Sequence, residues 1–537
     1  MTTMNDDRPR IEIYDSTLRD GAQALGVSLS GQDKLQIAKA LDSLGVDYIE
    51  AGYPLSNPRD ETFLRDVRGA SFRHAKVVAF GMTRRKGTKA DDDAGMLALL
   101  GSEAEAVTIV GKSWDLHCRD VLGVTEDENL AMIAESIGLM ARHGRLTLYD
   151  AEHFFDGWRA NRDCALATLR AAHEAGAACL VLCDTNGGSM PEEIAEAVAS
   201  ARAALPDAAL GIHCHNDCGL ATANTLAAVR HGATHVQGTM NGIGERCGNA
   251  DLSTVAGNLA VKFGYACLQP GALAKLTDVS RFVYEVANLN FRENQPFVGA
   301  GAFAHKGGMH VHAVQRNVAT YEHMDPAAVG NARRILISDL AGTSNIAATV
   351  PAKFGIGSDR AAQRRILNQV MELENEGYQF EAAEASFEVL VRRTLGGKWH
   401  HPLWELDHYR TVIFKQDGGD TDTEAIVKLR IDGEVRHTVA EGDGPVDSLY
   451  TALRAALRTT YPAVDDLHLV DYRVRVVNTA AETAAKVRVM IDWHDAATAG
   501  YFGSVGVSEN IIEASWLALV DAIEYTVLNS MDRQEGD

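Results

Sequence analysis

The sequence predicts an α/β protein: a TIM (β/α)8 barrel first, then a helical linker region, then a separate C-terminal α+β domain. Three observations carry this. Eight short β-branched or apolar runs alternate with amphipathic stretches within residues 8–268, the size and rhythm of an eightfold barrel. The rhythm breaks over residues 269–395, where Ala361 to Glu376 reads as a helix and Gly299 to Gly308 as a loop. Alternating strands return within residues 396–531, in two sets that each lead into a helix.

The candidate barrel strands start at Ile11–Tyr14, Tyr48–Gly52, Lys76–Phe80 and Ala106–Val110. They continue at Leu146–Tyr149, Cys179–Cys183, Ala209–His213 and His235–Thr239. Between them, Gln32 to Leu44 and Cys164 to Ala175 place apolar residues three and four apart, the spacing of a helix with one buried face. Pro191-Glu-Glu-Ile opens another helix with proline and acids in its first turn. A doubly wound open sheet usually has fewer strands, and no G-x-G-x-x-G follows the first strand here. In the C-terminal part, Glu424–Arg430 and Tyr472–Val477 are strands, and Val446 to Leu457 and Ile511 to Leu528 are helices. Gly442–Pro445 and Gly503–Val507 read as corresponding loops before the two helices.

The length of 537 residues is too great for one core, so two or three domains are expected. Lys plus Arg is 51 and Asp plus Glu is 73, a net charge of −22, which argues against broad binding to a nucleic-acid backbone. No apolar run is long enough for a membrane span, and Met1 to Arg10 lacks an apolar signal core, so the cytoplasm is the expected compartment. None of the eight cysteines forms a C-x-x-C pair, so buried, reduced thiols are expected rather than a zinc cluster or disulfide framework.

Polar residues gather at one end of the predicted barrel. In His213-Cys-His215 the two histidines share a strand face, because side chains alternate with period two. Arg19 and Asp20 follow the first strand, Glu152 ends the fifth, and Asp184-Thr185 ends the sixth. Asn241 to Asn249 follows the eighth as a tight glycine-rich loop. All lie at C-terminal strand ends, where active sites of this barrel assemble. Asp20, His213, His215 and Asn249 together offer two imidazoles, a carboxylate and an amide oxygen. That set suits a divalent ion such as Mn²⁺, Mg²⁺, Co²⁺ or Zn²⁺.

Asp15-Ser-Thr-Leu-Arg-Asp-Gly21, His213-Cys-His-Asn-Asp217 and Asn241-Gly-Ile-Gly-Glu-Arg-Cys-Gly-Asn249 resemble the signatures of the 2-isopropylmalate, homocitrate and citramalate synthases. Gly111-Lys-Ser-Trp-Asp-Leu-His117, Tyr149 to Gly157 and Gly506 to Ser515 resemble the longer citramalate synthase branch, so the resemblance covers nearly the whole chain. It implies an acyltransferase that condenses acetyl-CoA with pyruvate and water to give (R)-citramalate and CoA, in isoleucine biosynthesis. In this picture Asp20, His213, His215 and Asn249 hold the metal, and Arg19 stabilises the developing alkoxide. Thr185 and Gln23 bind the 2-oxo acid. Glu152 is the first choice for the base that forms the acetyl-CoA enolate. His310 and Tyr321 reach the site from a neighbouring subunit, to activate the hydrolytic water or to take part in proton transfer.

The C-terminal domain resembles a regulatory dimerisation module that senses a branched-chain amino acid, which implies a homodimer. Ala51-Gly-Tyr-Pro-Leu55 and Cys218 to Asn224 depart from the citramalate pattern, so 2-oxoisovalerate or another 2-oxo acid stands as the alternative substrate. The long C-terminal domain argues against a hydroxyacyl-CoA lyase on the same barrel. The complete metal set and Arg19 argue against a regulatory protein with an inactive barrel.

Overall fold

The computed structural model describes residues 9–336, 346, 350, 354–415, 417, 420–477, 485–498 and 500–536. Of the N-terminal stretch Met1 to Arg10, only Pro9 and Arg10 are among them. Eight parallel strands close into a barrel in chain order: β1 (Glu12–Asp15), β2 (Tyr48–Gly52), β3 (Lys76–Met82), β4 (Ala106–Lys112), β5 (Leu146–Glu152), β6 (Cys179–Asp184), β7 (Leu210–Cys214) and β8 (Ala233–Gly238). β8 pairs back onto β1, from Glu12 with His235 to Asp15 with Gly238. The surrounding helices are α1 (Gly31–Leu44), α2 (Pro58–Val67), α3 (Ala94–Gly101), α4 (Glu126–Arg142), α5 (Phe154–Ala160), α6 (Arg162–Glu174), α7 (Pro191–Ala204) and α8 (Ala221–Arg230). α9 (Leu252–Gly257) and α10 (Leu276–Val286) follow β8.

Period-two alternation builds the two layers. On β6, Cys179, Val181 and Cys183 pack with Tyr14, Tyr48, Val78, Ala106 and Leu148 inside the barrel, while Leu180 and Leu182 join the core shared with the helices. On β7, Ile212 and Cys214 belong to that outer core, and His213 sits beside Cys183 in the strand register. The helices start where their sequences tell them to. Ser30 accepts from the Asp33 N–H while Asp33 accepts from the Ser30 N–H, a reciprocal cap worth about 1 kcal/mol. α1 stops at Gly45, whose φ of +85° and closeness to Gln269 leave no room for a side chain.

The chain divides into two compact units, Met1–Phe303 with Met324–Arg333, and Ala304–His323 with Arg334–Asp537. The second unit opens with the short parallel pair β9 (Ala304–His305) and β10 (Arg334–Ile335), and α11 (Gly308–Arg316) lies between them in sequence. Next come α12 (Arg360–Glu376) and α13 (Glu384–Leu395). Two antiparallel three-stranded sheets follow, each closed by a helix: β11 (Glu405–Lys415), β12 (Thr421–Ile431), β13 (Glu434–Gly442) and α14 (Pro445–Leu457), then β14 (Leu467–Val476), β15 (Val487–Asp495), β16 (Gly500–Ser508) and α15 (Ile511–Gly536). The two sets share one core, in which Leu449 and Leu453 of α14 pack with Trp493, Leu519 and Ile523. Among the described residues, no helix is long and apolar enough to cross a membrane.

Two expectations need correction. Gly503–Val507 is no loop; it lies inside β16 and pairs with β15. Its glycines serve close approach, since a Cβ on Gly503 would sit 1.9 Å from the Ala382 carbonyl oxygen and one on Gly506 would sit 2.0 Å from that of Ala514. Nor are all the thiols buried: Cys218 and Cys247 are exposed, because the loops after β7 and β8 carry them to the surface.

Candidate functional site

A hollow of about 230 Å³ opens at the C-terminal end of the barrel. Arg19, Asp20, Gln23, Phe80, Val110, Asp150, Glu152, Cys183, Thr185, His213 and His215 contribute to its lining. β7 delivers His213, and the chain just beyond it delivers His215. The loop after β8 then runs back along β7, with the Ala250 N–H donating to the Cys214 carbonyl and Asn249 forming a bridge with His215. That return is tight: Gly248 has φ +85°, and a Cβ there would fall 2.0 Å from the Gly242 oxygen. Arg246 clamps the loop by donating to both Asp217 carboxylate oxygens, at 2.8 and 3.0 Å, and to the Thr185 carbonyl at 2.8 Å.

One ligand atom from each of Asp20, His213 and His215 lies within 4.8 Å of the others. His213 Nε2 is 3.3 Å from Asp20 Oδ2, and Asn249 Nδ2 is 3.0 Å from Asp20 Oδ2 and 3.1 Å from His213 Nε2. Burial opposes a charged Asp20, but the adjacent Arg19 and the His213 hydrogen bond hold its carboxyl below the ordinary range. Burial, reinforced by His213, pushes His215 down to about 4, so its ring is neutral at pH 7. An ionised carboxylate beside a neutral imidazole is the state a cation needs. Two buried atoms of the set, His215 Nδ1 and Asn249 Oδ1, have no hydrogen-bond partner. The donor set therefore fits a divalent cation, with one adjustment. Asn249 turns its amide nitrogen to the cluster, and ligation through Oδ1 needs the opposite amide orientation.

Around this cluster the side chains are locked. Arg19 Nε donates to Glu50 Oε2 at 2.7 Å, and its guanidinium lies 4.0 Å from the centre of the Phe80 ring. Glu50 also accepts from Tyr14 Oη at 2.7 Å and from Ser16. Gln237 faces His213 Nδ1 at 2.8 Å and donates from Nε2 to Asp150 Oδ1 at 3.0 Å. Burial raises the Asp150 carboxyl to about 7 against the pull of His213. Thr185 Oγ1 accepts from the His153 N–H at 2.8 Å, which leaves its own O–H to donate into the hollow. Glu152 pairs with Lys112.

Residues 10–283 match the family model described as HMGL-like, residues 297–378 the homocitrate synthase post-HMGL domain-like model, and residues 381–527 the LeuA allosteric (dimerisation) domain. The (R)-citramalate synthase of Aquifex aeolicus is 46% identical over 530 residues, covering 98% of this chain and 99% of that protein. The chain belongs to the (R)-citramalate synthase family. The family's Synechocystis sp. member is 48% identical over 526 residues, 96% of this chain and 95% of that protein. Its Streptomyces coelicolor member is 45% identical over 535 residues, 99% of each.

Of the residues singled out from sequence, Arg19, Asp20, Gln23, Glu152, Thr185, His213 and His215 line one hollow, and Asn249 bonds to two of them. His310 and Tyr321 belong to the second compact unit, where their rings stack at 4.1 Å with Tyr321 46% exposed. Asp150 and Gln237, to which no motif points, also belong to the site. Period two could have found both: Asp150 is two before Glu152 on β5, and Gln237 stands opposite His213 in the register.

Proposed function

We infer that the chain is an acyltransferase that condenses acetyl-CoA with pyruvate and water to give (R)-citramalate and CoA, a step of isoleucine biosynthesis. The observation that carries this reading is near-half identity to (R)-citramalate synthases over essentially the whole length of both chains. The cytoplasm is the compartment this reading assigns.

Asp20, His213, His215 and Asn249 would hold a divalent cation (Mn²⁺, Mg²⁺, Co²⁺ or Zn²⁺), which when bound acts as a Lewis acid on the carbonyl of the 2-oxo acid. The Thr185 hydroxyl and Gln23 donate to the substrate carboxylate. Phe80 and Val110 supply an apolar wall for the pyruvate methyl. Glu152, placed by the end of β5, takes a proton from the acetyl-CoA methyl group. The enolate carbon then attacks C2 of pyruvate, a C–C bond forms, and the carbonyl electron pair moves onto oxygen. Arg19 donates to that oxygen as its charge develops, from a guanidinium already fixed by Glu50 and Phe80, so little reorganisation is needed during the reaction. Water next adds to the thioester carbonyl and the C–S bond breaks to release CoA. His310 and Tyr321 activate that water or pass protons, from a neighbouring copy of the chain.

The same reading divides the chain into a catalytic barrel (8–268), linker subdomains (269–395) and a regulatory domain (396–531) that binds a branched-chain amino acid and pairs two copies. The match to a LeuA allosteric (dimerisation) domain supports this. So do the exposed apolar side chains Val412, Ile413 and Phe414 on β11 and Val470, Val474 and Val476 on β14. Product analysis tests the reaction. Carbon-13 at C2 of pyruvate should become the hydroxyl-bearing carbon of citramalate, the R enantiomer on a chiral column. Labelled pyruvate left unchanged beside acetyl-CoA would contradict it.

A further inference from the structure

We propose that Asp150 and Gln237 form a positioning relay that sets which nitrogen of His213 is free to bind the cation, an inference that rests on the metal-ligand reading above. The three side chains are linked in line inside the barrel. Gln237 Oε1 is 2.8 Å from His213 Nδ1, and Gln237 Nε2 is 3.0 Å from Asp150 Oδ1. Gln237 is fully buried, Asp150 is 3% exposed and His213 is 5% exposed, so water does not compete for these bonds.

The direction of each bond follows from what the groups can do. An amide nitrogen only donates, and Gln237 Nε2 donates to Asp150 Oδ1, an oxygen that accepts as a carboxylate or as the carbonyl oxygen of the acid. Asp150 therefore holds Gln237 with its nitrogen toward β5 and its oxygen toward β7. That oxygen only accepts, so His213 Nδ1 must carry the hydrogen. The lone pair of the neutral ring then lies on Nε2, the nitrogen 3.3 Å from Asp20 and 3.1 Å from Asn249. Were the amide reversed, its N–H would face Nδ1, the proton would move to Nε2, and the ligand atom would be blocked. A hydrogen bond to the non-ligating nitrogen is how ligand histidines are generally oriented, and its loss weakens metal affinity about 10–100-fold. Here an amide carries the bond and a buried acid three strands away, on β5, fixes the direction of that amide.

The test uses the full chain stripped of divalent cations, with Mn²⁺ affinity read by calorimetry and the visible spectrum of bound Co²⁺ as a second signal. Gln237→Met keeps the size of the side chain and Asp150→Leu removes the acceptor. Each should weaken Mn²⁺ about 10–100-fold and alter the Co²⁺ spectrum. Asp150→Asn retains an acceptor oxygen and should bind within about threefold of wild type, with the wild-type Co²⁺ spectrum, as expected when orientation and not charge matters. Wild-type affinity in both Gln237→Met and Asp150→Leu overturns the proposal, and so does an Asp150→Asn chain as weak as Asp150→Leu. Failure of the metal-ligand reading shows differently: the wild-type chain would take up no Mn²⁺, or Asp20→Ala would bind it undiminished, and the relay would fall with it.

Discussion

Arg19 and Glu50 form an ion pair at 2.7 Å in which the carboxylate has no exposure to solvent and the guanidinium side chain is 15% exposed. Arg19 also reaches Asp20 at 3.7 Å, so one cation joins the Glu50 cluster to the ligand cluster. A buried pair of this kind is costly to break by halves, because the surviving charge has no partner. Glu50→Leu should therefore destabilise the barrel by about 3–5 kcal/mol. Adding Arg19→Met should recover most of that loss. Urea unfolding followed by tryptophan fluorescence measures both, and simple addition of the two effects would rule the pairing out as a stability device.

Arg19 also has a catalytic assignment, which a subtler change isolates. Arg19→Lys keeps the charge but loses the planar fork that serves Glu50 and the reacting oxygen together. Its kcat should fall about 10²–10³-fold, with a much smaller change in KM for acetyl-CoA. Steady-state CoA release measures this, and an unchanged kcat removes Arg19 from the developing oxyanion.

The proposed reaction puts the alkyl group of the 2-oxo acid against Val110. Val110→Ala enlarges the space for the 2-oxo acid's alkyl group. The ratio of kcat/KM for 2-oxobutanoate over pyruvate should rise about tenfold, the scale of one methylene in an apolar pocket. An unaltered ratio places the alkyl group elsewhere.

In the second unit, burial raises the Asp521 carboxyl to about 6, although Arg393 at 3.1 Å pulls the other way. The folded chain thus holds this proton more tightly than the unfolded chain, whose aspartate has a pKa of about 3.9. The stabilisation is present in full below the unfolded value and is lost as pH rises through about 6. Between pH 5 and 7 the wild type should lose about 1 kcal/mol relative to Asp521→Asn, read from urea midpoints. A difference that does not vary over this interval would show that Asp521 carries no such proton.

Much of this architecture was legible in the sequence because it follows from local periodicity. The alternation that put His213 and His215 on one face also put Cys214 in the outer core, and Pro191 marked a helix start by its own backbone chemistry. Relations across strands were harder to see. Glu50 binds Arg19, Tyr14 and Ser16 at once, a convergence that exists only when β1 and β2 are paired. Asp150 and Gln237 are 87 positions apart and become partners through barrel closure. The glycines of β16 misled for the opposite reason. Their cause is the backbone of Ala382 and Ala514, far along the chain or in the next helix, and a sequence window sees only the composition of a turn.

The most direct test of pyruvate as the substrate presented by Asp20, His213 and His215 is the rate of CoA release from acetyl-CoA, with pyruvate set against 2-oxoisovalerate and 2-oxobutanoate in the metal-loaded full chain. Pyruvate should give the highest kcat/KM, at least tenfold above 2-oxoisovalerate, and His213→Ala should give no release with any of them. Faster release with 2-oxoisovalerate, or release by the His213→Ala chain at the wild-type rate, would contradict the assignment.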